Sequence, residues 1–309
     1  MAGLTGESSC MVNTRSPWVR LRRNRAAMVS LSVLVLVAVA AVIGPHLLPA
    51  ADANASQNSF LPPSWLHPFG TDLNGRDLLY RVLLGAQISL LVGIAGAAVS
   101  FAIGTSYGMI AGYLGGSVDS LMMRLVDILY AIPRLIFLLI LISAVDPILR
   151  ANLAAHGFQS LVSYSKIFIL VACLGFTEWL TMARIIRGQV LSLKSQEFVV
   201  AARSIGQSHW NIIWQHLLPN LVGVAIVYLT LTVPSVILDE SFLSFLGVGI
   251  QSPLASWGLL LSDAAQVINP IKGYWWLLVF PAIAMGSTLL ALNFLGDGLR
   301  DAFDPRQRK

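Results

Sequence analysis

An all-α membrane protein with six membrane-crossing helices is the fold class this sequence predicts. Three observations predict it. Of 309 residues, 56% are hydrophobic and only 11% charged, whereas soluble domains carry charge on about a quarter of their residues. Six apolar stretches each reach the roughly 20 residues that a helix needs to cross a hydrocarbon core about 30 Å thick. The short alternating strands of about 10 residues that would build a membrane barrel are absent.

Taken in order, residues 1–25 form a basic N-terminal tail, and the composition of the first 15 or so predicts no fixed structure. The first span, about 27–48, is a retained anchor (26–48) ended by Pro45 and Pro49, because no small-residue cleavage site follows it. Residues 49–85 run outside the membrane through Pro62-Pro63 and Pro68, with a tight turn at Asn74-Gly75 and Asp77 placed to begin a helix. Residues 86–297 hold the other five spans. The second, about 86–111, leads through Gly104, Gly108 and Gly112, whose four-residue spacing lets helix backbones approach closely in lipid. The third, about 121–144, is expected to kink at Pro133 and to pair Arg124 with Asp127 three residues on. Arg134 would stand roughly 20 Å along that helix, where a charge faces water or a partner.

The fourth span, about 167–186, carries Glu178 and ends near Arg184 and Arg187. The fifth, about 221–246, is interrupted at Pro234 and then carries the adjacent carboxyl groups Asp239 and Glu240. Neighbouring carboxyl groups in an apolar helix must be protonated, bonded or wet. The sixth span is about 275–295, and 298–309 form a C-terminal tail.

The net charge of +5 is distributed in a way that reports topology and excludes a nucleic-acid partner. Alternating the loops puts fourteen Lys and Arg residues on the side of both termini and five on the other, which places the termini in the cytoplasm. Cys10 and Cys173 form no disulfide framework, and the five histidines are scattered without a metal-binding cluster. There is no G-x-x-x-x-G-K-[ST] phosphate loop and no His-Glu-x-x-His helix, so no catalytic residue is assigned, nor any metal or cofactor bound by this chain.

Between the fourth and fifth spans lies a polar loop, 195–219. Glu197 to Ser204 are helix formers with Phe198, Ala201, Ala202 and Ile205 on one expected apolar stripe. Gly206 ends that helix, Ser208 is placed to cap a second short one, and Pro219 marks the start of the next span. Two short helices joined by a fixed bend are the result.

Ala201, Ala202, Gly206 and Pro219 in this order resemble the cytoplasmic coupling loop of the membrane subunits of ATP-driven importers. Val200 stands where that pattern has a glutamate, a charge that Glu197 would supply from the same face, and His216 where it often has isoleucine. FGTDLNGRDLLYRVLLGAQISL (69–90), ESFLSFLG (240–247), SPLASWGLLLSDA (252–264) and GDGLRDAFDPR (296–306) are similar to the C-type permeases of oligopeptide and dipeptide importers, so the resemblance spans about residues 18–309.

The resemblance implies a type I importer fold in the inner membrane. It implies a second, B-type permease, two ATPase subunits that bind ATP and Mg, an extracytoplasmic binding protein and a peptide substrate. Glu197, Ala201, Ala202, Arg203 and Gly206 would then meet an ATPase, and Arg134, Glu178, Asp239 or Glu240 would line the path. A pump of the same type carrying nickel or another small solute is an alternative. A secondary transporter with an ion-coupling relay is another, against which the lack of a visible inverted repeat weighs.

Overall fold

The computed structural model describes residues 17–48, 55, 57–162, 164–267 and 273–303. Most of the tail 1–25, Pro49 and residues 304–309 therefore lie outside the described residues. Helices α1 (Pro17–Arg23) and α2 (Arg25–Leu47) are separated at Asn24, whose side chain caps α2 by accepting from the Ala27 N–H at 3.2 Å. Helix α3 (Leu78–Leu114) follows the loop 57–77, α4 (Gly116–Tyr130) and α5 (Arg134–Ala155) come next, and the short α6 (Gln159–Val162) leads to α7 (Ser165–Leu193). Beyond α8 (Glu197–Ser204) and α9 (His209–Asn211), a π-helical turn (Ile212–Leu217) runs into α10 (Leu218–Phe245); α11 (Trp257–Val267) and α12 (Trp276–Phe303) complete the chain. Among the described residues six helices are long and apolar enough to cross a membrane, the fifth running from His209 to Phe245.

The centre of the bundle is the contact of α3 with α7. A Cβ at Gly104 would lie 2.5 Å from Met182 Cβ, at Gly108 2.5 Å from the Ala183 carbonyl, and at Gly112 2.9 Å from Val190 Cβ; Gly96 and Gly175 meet in the same way further along. With no hydrophobic drive between helices in lipid, such close backbone contact is the main attraction available. Replacing Gly108 by valine is expected to force the two backbones apart, destabilising the chain by at least about 3 kcal/mol, the upper range for overpacking. Thermal unfolding in detergent reads this as a Tm drop, and an unchanged Tm would contradict the packing.

Three expectations about the spans are corrected. Pro45 does not end the first helix but lies inside α2; the Ala41 carbonyl that its missing N–H leaves open accepts instead from Gln87 Nε2 of α3 at 2.6 Å. The third span does not run 121–144 with a kink. The helix breaks after Tyr130, Pro133 adopts φ −57, ψ 113 as the cap of α5, and the apolar span is 134–155, since a proline holds its predecessor out of helical geometry. Pro234 does not interrupt the fifth span: α10 continues through it, with the proline buried in the bundle. Pro219 stands in the first turn of α10, at the start of that helix as expected. The preceding turn is π-helical, with the Leu218 N–H bonding five residues back to Ile213, a register that leaves out the bond a proline cannot make.

The ends of the bundle are sealed differently. At one end, Trp18 meets Phe303 edge to face (6.4 Å), and Leu21, Ala27, Leu299 and Ala302 pack together. At the other, the loop 57–77 is clasped to the start of α12 by stacked rings, Phe60 on Tyr274 (4.4 Å) and Phe69 on Phe280 (4.0 Å). Asp77 caps α3 by accepting from Tyr80 N–H at 3.0 Å.

Candidate functional site

The loop between α7 and α10 is a bent pair of short helices. Gly206 adopts φ +78, a backbone conformation that side chains with a Cβ resist, and its N–H bonds the Arg203 carbonyl (2.9 Å) while the Gln207 N–H bonds that of Ala202 (3.1 Å). Ser208 caps the second helix by accepting from Asn211 N–H at 3.3 Å. His216 then fixes the angle from the far side through Gln207 Oε1 at 2.8 Å.

The buried face of α8 differs from the expected stripe. Val199 and Ala202 are buried, packed with Ile212, Ile213 and Leu217 of the following turn. Phe198, Ala201 and Ile205, expected on the same stripe as Ala202, lie exposed. Ile205 is 75% exposed, and Val200, Trp210 (63%) and Trp214 (58%) are exposed with it. The bend therefore presents an apolar strip outward, on a loop whose other surface is polar. Glu197 is exposed on the same short helix. Arg203 is held over the Tyr113 ring (5.1 Å), and Tyr113 in turn bonds His209 Nδ1 at 2.9 Å, so this arginine braces the bend against α3.

A second constellation lies deeper. Arg134, the first residue of α5, donates through Nη2 to Glu178 Oε1 of α7 (2.6 Å) and to Asp239 of α10. Glu178 stands fifteen residues before the end of α7, about 22 Å along the helix from the α8 loop. The depth expected for Arg134 by counting along one helix is thus reached across a helix break. Beside it is a cavity of about 250 Å³ lined by Tyr130, Pro133, Arg134, Phe137, Phe176, Thr177, Glu178 and Thr181. Arg134 Nε is buried and has no hydrogen-bond partner.

Glu240 does not join this cluster. One residue on from Asp239, it points to the other side of α10 and is fully buried. Ser89 (3.0 Å), Ser244 (2.7 Å) and Ser241 (3.4 Å) donate to its carboxyl group, and Ser89 and Ser244 also accept from the N–H groups of Trp257 and Ile250. A carboxyl group bound on both oxygens ties α3, α10 and α11 together.

Two ion pairs were not legible in the sequence. Asp119 takes both Arg187 Nε (2.5 Å) and Nη2 (2.7 Å), which hold its carboxyl below the usual carboxylate range. Asp127 accepts from Arg184 at 2.7 Å, not from Arg124 as expected, because Arg184 also lies over the Tyr130 ring at 4.2 Å and so occupies the face Asp127 presents. With Arg134–Glu178 these pairs fasten α4 and the start of α5 to α7 along its length. Arg81, within the segment 49–85 expected outside the membrane, is buried between Asp72 (2.9 Å) and Asp263 (3.1 Å); burial pushes the Asp263 carboxyl up while Arg81 opposes the rise.

The run Gly104-Thr105-Ser106-Tyr107-Gly108 has the letters of a nucleophile elbow but lies mid-helix, with Ser106 Oγ bonded to the Ala102 carbonyl at 2.8 Å. His67, His209 and His216 are each engaged in a side-chain hydrogen bond, with Asp77, Tyr113 and Gln207.

Comparison with known proteins bears on this geometry. Residues 104–309 match the family described as binding-protein-dependent transport system inner membrane component, and residues 14–63 match the N-terminal TM domain of oligopeptide transport permease C. The chain is 44% identical to the dipeptide transport system permease protein DppC of Bacillus subtilis over 299 residues, covering 96% of this chain and 87% of that protein. It is 46% identical to the oligopeptide transport system permease protein OppC of Escherichia coli over 304 residues (96% and 94%), and 45% identical to OppC of Haemophilus influenzae over 294 residues (94% and 87%).

Proposed function

The chain belongs to the family of binding-protein-dependent transport system inner membrane components, and on that premise we propose that it is one of two membrane subunits of an ATP-driven importer of short peptides. It is a multi-pass protein of the inner membrane. A homologous permease completes the path, an extracytoplasmic binding protein delivers the peptide, and two separate ATPase subunits supply the energy. This chain binds no nucleotide of its own.

The observation that carries this reading is the outward apolar strip of Phe198, Val200, Ala201, Ile205, Trp210 and Trp214 on a bend that lies between two spans and packs against them through Val199 and Ala202. A surface of that kind on a polar loop is a partner-binding surface. With the bend in the cytoplasm, as the distribution of basic residues indicates, the partner is an ATPase. Closure of the ATPases on ATP pushes the bend. Because α7 continues from it and is fastened to α4 and α5 by Asp119–Arg187, Asp127–Arg184 and Arg134–Glu178, the push moves these helices as one body and opens the path outward; hydrolysis resets it. The names of these three relatives, dipeptide or oligopeptide permeases, support peptide as the cargo.

Affinity purification of the tagged chain in mild detergent tests this. It is expected to bring down a second permease and an ATPase bearing a phosphate loop, and deletion of the chain is expected to abolish ATP-dependent uptake of a labelled tripeptide. A chain that purifies alone, with uptake intact in the deletion strain, would overturn the proposal.

A further inference from the structure

Resting on the peptide-importer reading, we propose that the cavity at the α4–α5 break is a subsite for the free amino end of the passing peptide. Glu178 and Asp239 take the ammonium, and Arg134 donates to the first peptide carbonyl. Three observations converge on this. One guanidinium faces two carboxyl groups, and it serves both through a single nitrogen, Nη2. The cluster therefore has acceptor capacity to spare for a compact cation with three donors, which an ammonium is. Arg134 Nε is buried beside the cavity without a partner, and buried donors in folded proteins are almost always satisfied, so this one is placed for an acceptor that arrives with a ligand. The cavity is about 250 Å³ and is walled by Tyr130, Phe137 and Phe176, with Thr177 and Thr181 on the α7 side. That is room for one end of a peptide and its first side chain.

The carboxyl end fits less well. It would bring a third negative group against Glu178 and Asp239, with a single guanidinium to balance all three. The other buried acidic groups among the described residues are already engaged: Glu240 by serines, Asp72 by Arg81, Asp77 by His67 and Asp119 by Arg187. Because Arg134, Glu178 and Asp239 stand on α5, α7 and α10, an arriving ammonium displaces the guanidinium from a contact that holds three helices together. The ligand thereby loosens the closed arrangement that it passes through.

Thiol labelling of the assembled importer in nanodiscs tests the subsite without the binding protein or ATP. Thr181, an exposed lining residue, is replaced by cysteine in a chain carrying Cys10→Ala and Cys173→Ala, and the rate of maleimide labelling of this chain is read. Saturating tripeptide with a free amino end, and the same peptide amidated at its carboxyl end, are expected to slow labelling about tenfold, the scale of 1.4 kcal/mol of site occupancy. The N-acetylated peptide is expected not to slow it. Glu178→Gln, and separately Asp239→Asn, should remove the protection by peptide, and elution of each assembled complex at the wild-type volume in gel filtration shows that the variants are folded. Equal protection by the acetylated peptide, loss of protection on amidation instead, or no protection by any of the three would overturn the subsite. Such a result leaves the importer reading in place if uptake still requires the chain, whereas loss of that requirement refutes the importer reading itself.

Discussion

Replacing Ile205 by aspartate is expected to abolish peptide uptake and release the ATPase from the purified complex, while the chain itself stays folded. Ile205 is 75% exposed at the turn of the bend and stands outside the buried cluster that holds α8 in place. Its change to a charge therefore acts on the partner. A charge set into the apolar centre of an interface costs about 2 kcal/mol or more, a loss of affinity of roughly thirtyfold. Ala202→Asp makes the contrast. Ala202 is buried beneath Ile212 and Ile213, so that change is expected to lower the Tm of the isolated chain as well. Measuring co-purification and Tm together separates the two effects. Retention of the ATPase by the Ile205 variant at wild-type levels would mean that the strip faces something else.

Arg134→Ala is expected to have the largest effect inside the membrane. It leaves Glu178 and Asp239, with side chains 9% and 18% exposed, facing each other without their common partner. Removing one member of a buried ion pair costs about 3–5 kcal/mol, and the lower end applies here because Arg134 itself is 39% exposed to the cavity. Uptake should be lost and the Tm should fall. Adding Glu178→Gln and Asp239→Asn to the alanine variant should restore the Tm, since no carboxyl group is then unpaired, but should leave transport impaired. Arg134→Lys should retain folding with reduced transport, because lysine keeps a cation for the two carboxyl groups but lacks the buried Nε–H donor beside the cavity. Full uptake by the triple variant would show that the cluster only holds the bundle together.

Much of this arrangement was legible in the sequence, for reasons that also mark where legibility ends. The six spans follow from length and apolarity, a property of each segment alone. The bend at Gly206 follows from local backbone chemistry, and Gly104, Gly108 and Gly112 face α7 because their spacing keeps them on one side of α3. The buried face of α8 was not legible. Phe198, Ala201 and Ile205 form one helical series and Val199 and Ala202 another; Ile212 and Ile213, from the next element, decide which turns inward. Arg134, Glu178 and Asp239 each stand out singly as charges in apolar helices, but nothing in three separate periodicities says that they meet. Glu240 differs from Asp239 only by one step around α10, and Ser89, 151 residues distant in sequence, determines its surroundings. The break at Pro133 and the continuity at Pro234 illustrate the same limit. Both are prolines in apolar runs, and their surroundings in the bundle, not the local sequence, separate a cap from an ordinary helical residue.

Accessibility of the bend tests the central claim most directly. With Ala201→Cys in a chain lacking Cys10 and Cys173, a membrane-impermeant maleimide should leave intact cells unlabelled. It should label inverted membrane vesicles only after the ATPase has been stripped away. Labelling of intact cells, or labelling of inverted vesicles at the same rate with the ATPase bound, would contradict a gate that is worked from the cytoplasm through this loop.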